Sequence, residues 1–310
     1  MAGTECSPGV EVTTKAVERH AEAIGADVAQ KEQVRMQRAV QLELPAVWGS
    51  QVPVLYIEMD GTQAPLVRSE LEGRAGRVEG QPARTREAKR GCMFTQTTTD
   101  PKGRPIRDEA STTYTAAIET AEVFGPRLYT EAGERGWSRA EKKVVLGDGA
   151  DWIGNLADQY FPGALQIVDL YHAREHLWKL AAKLFPTAER QRKRWAKTMA
   201  ALLNRGRIPK LVKSLRALPP PTPELLKLLH TEADYFQRHK QRMCYPAFRR
   251  QHLFVGSGVM EAGCKTLLGS RLKQSGMFWT VRGANSIIAL RCARRSRRFE
   301  DYWADRSRAA

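Results

Sequence analysis

The sequence predicts an α/β protein with a mixed β-sheet flanked by helices, and three observations carry that expectation. Short apolar runs rich in Val, Ile, Leu, Tyr and Thr alternate with helical stretches in the order three strands, helix, strand, helix, strand, helix. Aspartate- and glycine-containing turns close two of the runs, at "DGT" (60–62) and "GDGAD" (147–151). A basic helical stretch without strand character then separates these elements from the C-terminal helices.

Taken in order, "VEVTTKAVERHAEAIGADVA" (10–29) has Thr13 as an N-cap, Ala and Val at helical spacing, and an end at a glycine-containing turn. An isolated helix of that length is marginal in water unless it packs on something, so a missing partner upstream is expected. After a polar helical stretch to about Ala39, "PVLYIEMDGT" (53–62) reads as a buried strand ending at Asp60. Residues 68–90, dense in charge, read as a mobile loop or hairpin tip. "GCMFTQTTTD" (91–100) and "IRDEASTTYTAAI" (106–118) suit two further antiparallel strands, followed by a helix from Thr115 to Gly136. "KKVVLGDGA" (142–150) is a fourth strand, "DWIGNLADQYF" (151–161) a helix and "GALQIVDLYH" (163–172) a fifth strand. "AREHLWKLAAKLF" (173–185) is a helix with Leu177, Leu180, Ala181 and Leu184 on one face. Five strands in this order match a ribonuclease H-like mixed sheet.

Between Arg190 and Arg216 lie ten Lys or Arg and no acidic residue, while Leu202, Leu203, Leu211 and Leu215 keep a helical period. "LPPPTP" (218–223) breaks this stretch, and helices follow over Glu224 to about Met243, Gly258 to about Leu268 and Gly283 to about Phe299. The chain therefore divides into an N-terminal region with its linker (1–45), the first part of an α/β domain (46–185), a basic helical insertion (186–250) and closing helices (251–310).

With 50 basic and 34 acidic residues the net charge is +16, which points to a polyanionic partner. Nucleic acid fits better than a membrane, because no apolar run approaches the ~18 residues of a span. The N-terminus has neither the basic start nor the apolar stretch of a signal peptide, so a cytoplasmic protein is expected. Five scattered cysteines without a C-x-x-C pair support neither a disulfide framework nor a structural zinc site.

Three acidic residues stand out by context: Asp60 and Asp148 at strand ends and Glu261 in a late helix. Were the first and fourth strands neighbours, two carboxylates would meet and the helix could bring a third. Three such groups suit Mg²⁺ or Mn²⁺, and two ions ~3.5–4 Å apart would serve phosphodiester transfer. The plainer alternative is that each aspartate terminates a turn or caps a helix. Asp151, followed by Trp152, Ile153 and Leu156, is the better N-cap or first-turn residue and Asp148 the better ligand. "HAREH" (172–176) has the H-x-x-E-H pattern of inverted zinc peptidases. No supporting motif surrounds the downstream carboxylates Glu189, Glu224, Glu232 and Asp234, and a helix start with surface histidines explains the pattern equally. The basic stretch favours phosphate contact over a merely solvated face. In "MFWTVRGAN" (277–285), Phe278 and Trp279 read first as core and second as a base-stacking pair.

"YIEMDGT" (56–62), residues 144–178 from "VVLGDGADW" to "HAREHLW", and residues 256–291 from "GSGVMEAG" to "IIALR" resemble the transposases of the ISKra family of bacterial insertion sequences. The likeness runs over roughly residues 5–305. It implies a DDE-type, ribonuclease H-like enzyme with an all-helical insertion before the glutamate-bearing helix. It further implies Asp60, Asp148 and Glu261 as a metal-binding catalytic triad holding two Mg²⁺ (or Mn²⁺) ions. "DLYH" falls where related Mutator-type transposases carry an Asp-or-Cys, two residues, then His motif, which sets Asp169 and His172 beside the site, in contact with DNA at the cleaved end. Phosphate contacts are expected from Arg190, Arg192, Lys193, Arg194, Lys197, Arg205, Arg207 and Lys210, and from Lys273 and Arg282 further on. The implied partners are element-end and target DNA and a homo-oligomer formed on it, in the nucleoid-associated cytoplasm. "GVEVTTKAVERHAEAIG" (9–25) resembles the second helix of the family's N-terminal helix-turn-helix; the first helix is absent, so a truncated product is expected. Two other readings stand beside this one: a catalytically inactive remnant that only binds DNA, and a zinc peptidase acting through His172, Glu175 and His176.

Overall fold

The computed structural model of the chain describes residues 13–41, 49–74, 83–219, 222–256, 258 and 265–309. Five strands form one mixed sheet: β1 (Val52–Pro65), β2 (Thr85–Gln96), β5 (Thr113–Ala117), β6 (Ala140–Gly147) and β7 (Leu165–Val168). The short β3 (Thr98–Thr99) and β4 (Pro105–Ile106) pair separately. The order is β5-β2-β1-β6-β7; β1 pairs antiparallel with β2 and β2 with β5, whereas β1–β6 and β6–β7 are parallel. Parallel neighbours need crossovers. Helices α2 (Ala121–Glu134) and α3 (Asp151–Tyr160) lie in those two connections.

Period-two alternation sorts the sheet residues onto two faces. Leu55, Ile57, Met59 and Val145 pack on Phe124 and Leu128 of α2 and on Ile153 and Leu156 of α3. Tyr56, Val144 and Leu146 face the other way. They pack beneath α4 (Leu170–Leu184) and share a core with α5 (Glu189–Asn204), α6 (Ile208–Arg216), α7 (Pro223–Arg238) and α8 (Tyr245–Arg250). Leu203, Leu211 and Leu215 of the basic stretch are buried in that core and Leu202 is half-buried against it. Each such leucine contributes on the order of 2 kcal/mol, so the insertion is docked on the sheet while its charges stay outside. The chain closes with a helical segment over Lys265–Gly269 and Ser270–Leu272, then α9 (Val281–Arg295) and α10 (Phe299–Ala309). Among the described residues no helix is long and apolar enough to cross a membrane.

Several elements differ from the sequence-based expectation. α1 (Thr14–Val40) does not stop at its glycine; it is one 27-residue helix. Gly25 is buried against the backbone of Ser286 in α9, an approach that any Cβ would block. The glycine therefore serves packing rather than a turn. The expected lack of a packing partner for this helix does not hold either, since Val28 packs with Ala289 and Ala293 of α9 and Tyr302 of α10. Arg127 of α2 also bonds Glu32 at 2.7 Å.

The first strand does not break at Asp60. β1 runs on to Pro65 because residues 85–90, expected in a loop, continue the antiparallel ladder from Asp60↔Arg90 to Pro65↔Thr85. Residues 75–82 of that expected loop lie outside the described set. The third strand is only Thr113–Ala117, which delays the start of α2 to Ala121. β7 ends at Val168, and the Asp169 carboxylate caps α4 by accepting from the amides of Tyr171 and His172.

Candidate functional site

Parallel pairing of β1 with β6 ends at Met59↔Gly147, so Asp60 and Asp148 are the next residues on adjacent strands. Asp60 shares a face with Tyr56 and Glu58, and Asp148 follows Leu146 by two, which directs both toward α4. Together with Glu58, Asp169, His172 and Glu175 they line an open pocket of about 400 Å³. Four of the residues singled out from sequence, Asp60, Asp148, Asp169 and His172, thus meet in one place. They do so although 109 positions separate Asp60 from Asp169.

Local structure explains each placement. Gly149 has φ +91°, a left-handed conformation that turns the chain sharply after Asp148. The Asp148 Oδ1 accepts from the Ala150 amide at 2.8 Å. The cap-like bond therefore belongs to Asp148, whereas Asp151 begins α3 without a cap hydrogen bond and pairs with Arg238 at 3.0 Å. Burial pushes the Asp148 carboxyl above the usual carboxylate range; the Ala150 amide and His172 oppose that, and Asp60 and Glu87 add to it. A carboxylate pair of this kind attracts positive charge. Arg90, opposite Asp60 in the β1–β2 ladder, supplies one such charge through an ion pair with the Asp60 Oδ2.

Asp60 within β1 and Asp148 just past β6 offer carboxylate oxygens side by side, and the Asp148 carboxyl is raised by burial first and by Asp60 and Glu87 after it, a cost that a hard divalent cation would offset. The residues present therefore fit Mg²⁺ or Mn²⁺. Among the described residues no three His, Cys, Asp or Glu side chains converge to hold a metal by themselves. Glu261 lies outside the described residues. The described chain leading toward it passes the pocket rim: Leu170 donates to the Val255 carbonyl at 2.8 Å, and Gly256 lies against Tyr171 and 3.6 Å, measured from a Cβ position, from the Asp169 Oδ1.

His172 and His176 stand one turn apart on α4 with their Nε2 atoms 3.2 Å apart. No third ligand joins them among the described residues. Glu175, the base of the peptidase reading, instead bonds Lys179 at 2.9 Å.

Eight of the ten expected basic residues lie on the insertion between Arg190 and Lys210. Arg190, Arg192, Lys193, Arg194 and Lys197 belong to α5, Arg205 and Arg207 to the turn before α6, and Lys210 to α6. All are exposed except Arg192, which is half-buried. Lys273 reaches the Thr62 hydroxyl on β1, two residues beyond Asp60, and Arg282 is exposed in the first turn of α9. Phe278 is 64% exposed, whereas Trp279 packs beside the β1 end, where Val67 donates to its carbonyl at 3.0 Å.

Sequence reasoning missed Glu58, Arg90 and Tyr235, and weighed Glu232 only as a zinc ligand, setting it aside for want of a supporting motif. Glu58 was recoverable, as a carboxylate two residues before Asp60 inside an apolar run. Arg90 depends on hairpin register, and the α7 residues on how a distant helix docks. No model of a known protein family matches the chain, and no curated protein matches it.

Proposed function

We propose that this chain is the catalytic part of a DDE-type DNA transposase of the ISKra kind, built on a ribonuclease H-like domain. The observation that carries the reading is the meeting of Asp60 and Asp148 at the end of the β1–β6 parallel pair, in an open pocket shared with Asp169 and His172. A net charge of +16 supports a nucleic-acid partner.

In the proposed reaction, water opens a phosphodiester at the element end and the freed 3′-hydroxyl attacks a phosphodiester of target DNA. Each step exchanges one P–O bond for another. Asp60 and Asp148, with Glu261, would hold Mg²⁺ or Mn²⁺, which when bound supplies charge neutralisation on the transferring phosphoryl group and acidifies the attacking oxygen. The protein's own part is to fix two carboxylates side by side, Asp60 within β1 and Asp148 just past the end of β6. His172 sits beside Asp148 as a polar group able to accept a proton or a hydrogen bond, and α5 and α6 present exposed cations to the DNA backbone. The phosphate contacts assigned to that surface are part of the proposal, as is a homo-oligomer assembled on DNA.

Asp148→Ala is expected to abolish Mg²⁺-dependent nicking of DNA carrying the element end while leaving DNA binding intact. Wild-type nicking by that variant would overturn the assignment. A second reading, a remnant that binds DNA without cutting it, is favoured by one observation: Arg90 occupies Asp60 with a permanent positive charge. Salt-sensitive DNA binding with no cleavage in Mg²⁺ or Mn²⁺ would establish that alternative.

A further inference from the structure

The pocket is connected to α7, a helix of the basic insertion, by a continuous chain of side chains. His172 lines the pocket. Its Nε2 lies 3.2 Å from Nε2 of His176, and Nδ1 of His176 lies 2.8 Å from the Glu232 Oε2. Tyr235, one turn along α7 from Glu232, stacks on the His176 ring at 4.4 Å with the planes 4° apart. The Tyr235 hydroxyl donates to the backbone carbonyl of Asp148 at 2.9 Å. Two residues of one helix thus hold two walls of the pocket.

Donor and acceptor accounting narrows what this chain can be. The charged Glu232 carboxylate only accepts, so His176 must carry its proton on Nδ1. With a neutral His176 ring the Nε2 is then an acceptor, and the 3.2 Å contact requires the proton on His172 Nε2. That leaves Nδ1 of His172 as an acceptor, 3.8 Å from Oε2 of Glu175, whose other oxygen, Oε1, is bonded by Lys179. Which nitrogen of a histidine is free is set by the bond the other makes. Rotation of His176 out of this arrangement is opposed by the stacked Tyr235 ring.

We propose that Glu232 is a positioning residue: acting through His176, it fixes the orientation and tautomer of His172, so that this ring of the pocket that Asp148 also lines keeps its proton on Nε2 and leaves Nδ1 as the acceptor. The catalytic meaning of that arrangement rests on the transposase reading, in which the acceptor would receive a hydrogen bond from the attacking hydroxyl or water. The orientation itself does not depend on that reading. The basic insertion then has two tasks, presenting cations outward from α5 and α6 and holding the pocket from behind through α7.

The test uses the full chain labelled with ¹⁵N and multiple-bond ¹H–¹⁵N spectra of its six imidazoles. His172→Gln and His176→Gln assign the signals. The expected wild-type pattern is His176 as the Nδ1–H tautomer and His172 as the Nε2–H tautomer. Glu232→Leu should convert His172 to an average of tautomers, whereas Glu232→Gln, whose amide oxygen accepts the same bond, should preserve the wild-type pattern. Should Glu232→Leu fail to fold, His176→Gln cuts the chain one link closer and should disturb His172 in the same way. Unchanged His172 signals in Glu232→Leu, or His176 found as Nε2–H, would overturn the proposal. In parallel, Mg²⁺-dependent nicking of a plasmid carrying the DNA that flanks the coding sequence should fall roughly 10- to 100-fold at saturating DNA in Glu232→Leu, with DNA affinity unchanged and Glu232→Gln near wild type. Equal nicking by Glu232→Leu would overturn the catalytic half. Absence of nicking by the wild type would count against the transposase reading, while the spectra would still decide the positioning.

Discussion

Gly25→Ala is the substitution on which two physical effects give opposite answers. Were α1 a helix exposed to water at this point, alanine would be the better helix former by about 1 kcal/mol. In the structure an alanine Cβ at residue 25 would stand 2.5 Å from the carbonyl carbon of Ser286 and 3.1 Å from its Cα. Ordinary carbon contacts need about 3.5 Å, so α1 and α9 would have to part by about 1 Å. No side-chain rotation relieves the contact, because the opposing atoms are backbone. A gap of that size forfeits a quarter to a half of the dispersion attraction across the interface, where Val28 meets Ala289 and Ala293. Overpacking of this kind costs typically 1–3 kcal/mol. At the upper end, less the propensity gain, the net loss is about 2 kcal/mol, or roughly 3 °C in melting temperature for a chain of this size. Gly133→Ala in α2 is the control: beyond its chain neighbours and its own helix backbone, no atom lies within 4 Å of its Cβ position, so the same exchange should gain up to about 1 kcal/mol. Urea denaturation of both variants measures the difference, expected near 3 kcal/mol. A Gly25→Ala protein at least as stable as wild type would mean that α1 ends or separates from α9 at its glycine, as the local pattern alone suggests.

Glu131 is buried and accepts two hydrogen bonds from Arg298, at 2.7 and 2.8 Å; Glu131→Ala removes both but leaves Arg298 its 3.2 Å bond to Glu134, so the cost in urea titrations should be about 3 kcal/mol, the low end for a broken buried pair. Burial, reinforced by Arg242 and Arg238, pushes the His239 imidazole down to about 4. Because this lies below its unfolded value of about 6.5, the unfolded chain binds the proton first. Stability should therefore fall as pH drops from about 6.5 to about 4, by at most about 3 kcal/mol from this group, and His239→Gln should flatten that slope. If α5 carries phosphate contacts, replacing Arg190, Arg194 and Lys197 together by Gln should reduce the slope of log affinity against log salt by about 3. An unchanged slope would place the DNA elsewhere.

The sheet was legible because its strands are bounded apolar runs whose alternation survives folding: Leu55, Ile57 and Met59 face one helical layer, and Tyr56 faces the other. The misread boundaries share one cause. Gly25, Gly61 and the charged residues 85–90 are locally signals of turn or loop, yet each is used inside a regular element where a tertiary neighbour needs the space or the ladder. Glu87 occupies the position a Cβ of Gly61 would take, and Arg90 in the same strand meets Asp60. A local pattern records what a segment would do alone; it does not record what packs against it.

The same distinction runs through the site. Asp60 and Asp148 could be paired from sequence because each follows an apolar run, and the parallel pairing of those runs ends at Met59↔Gly147, one residue before each aspartate. Arg90 could not, since its contact requires the β1–β2 ladder to include the Asp60↔Arg90 pair, in a stretch that reads locally as loop. Glu232 and Tyr235 were harder still, because they reach His176 and Asp148 only once α7 is docked through Leu229, Ala233 and Phe236. That docking surface alternates with the polar pair at helical spacing: 229, 233 and 236 on the buried stripe, 232 and 235 on its flank. Burying the stripe therefore fixes the flank, and the apolar contacts that stabilise the insertion also set where a carboxylate and a phenol meet the pocket. A change that loosens the stripe, such as Leu229→Ala, should thus disturb His172 and the Asp148 turn before it unfolds the sheet.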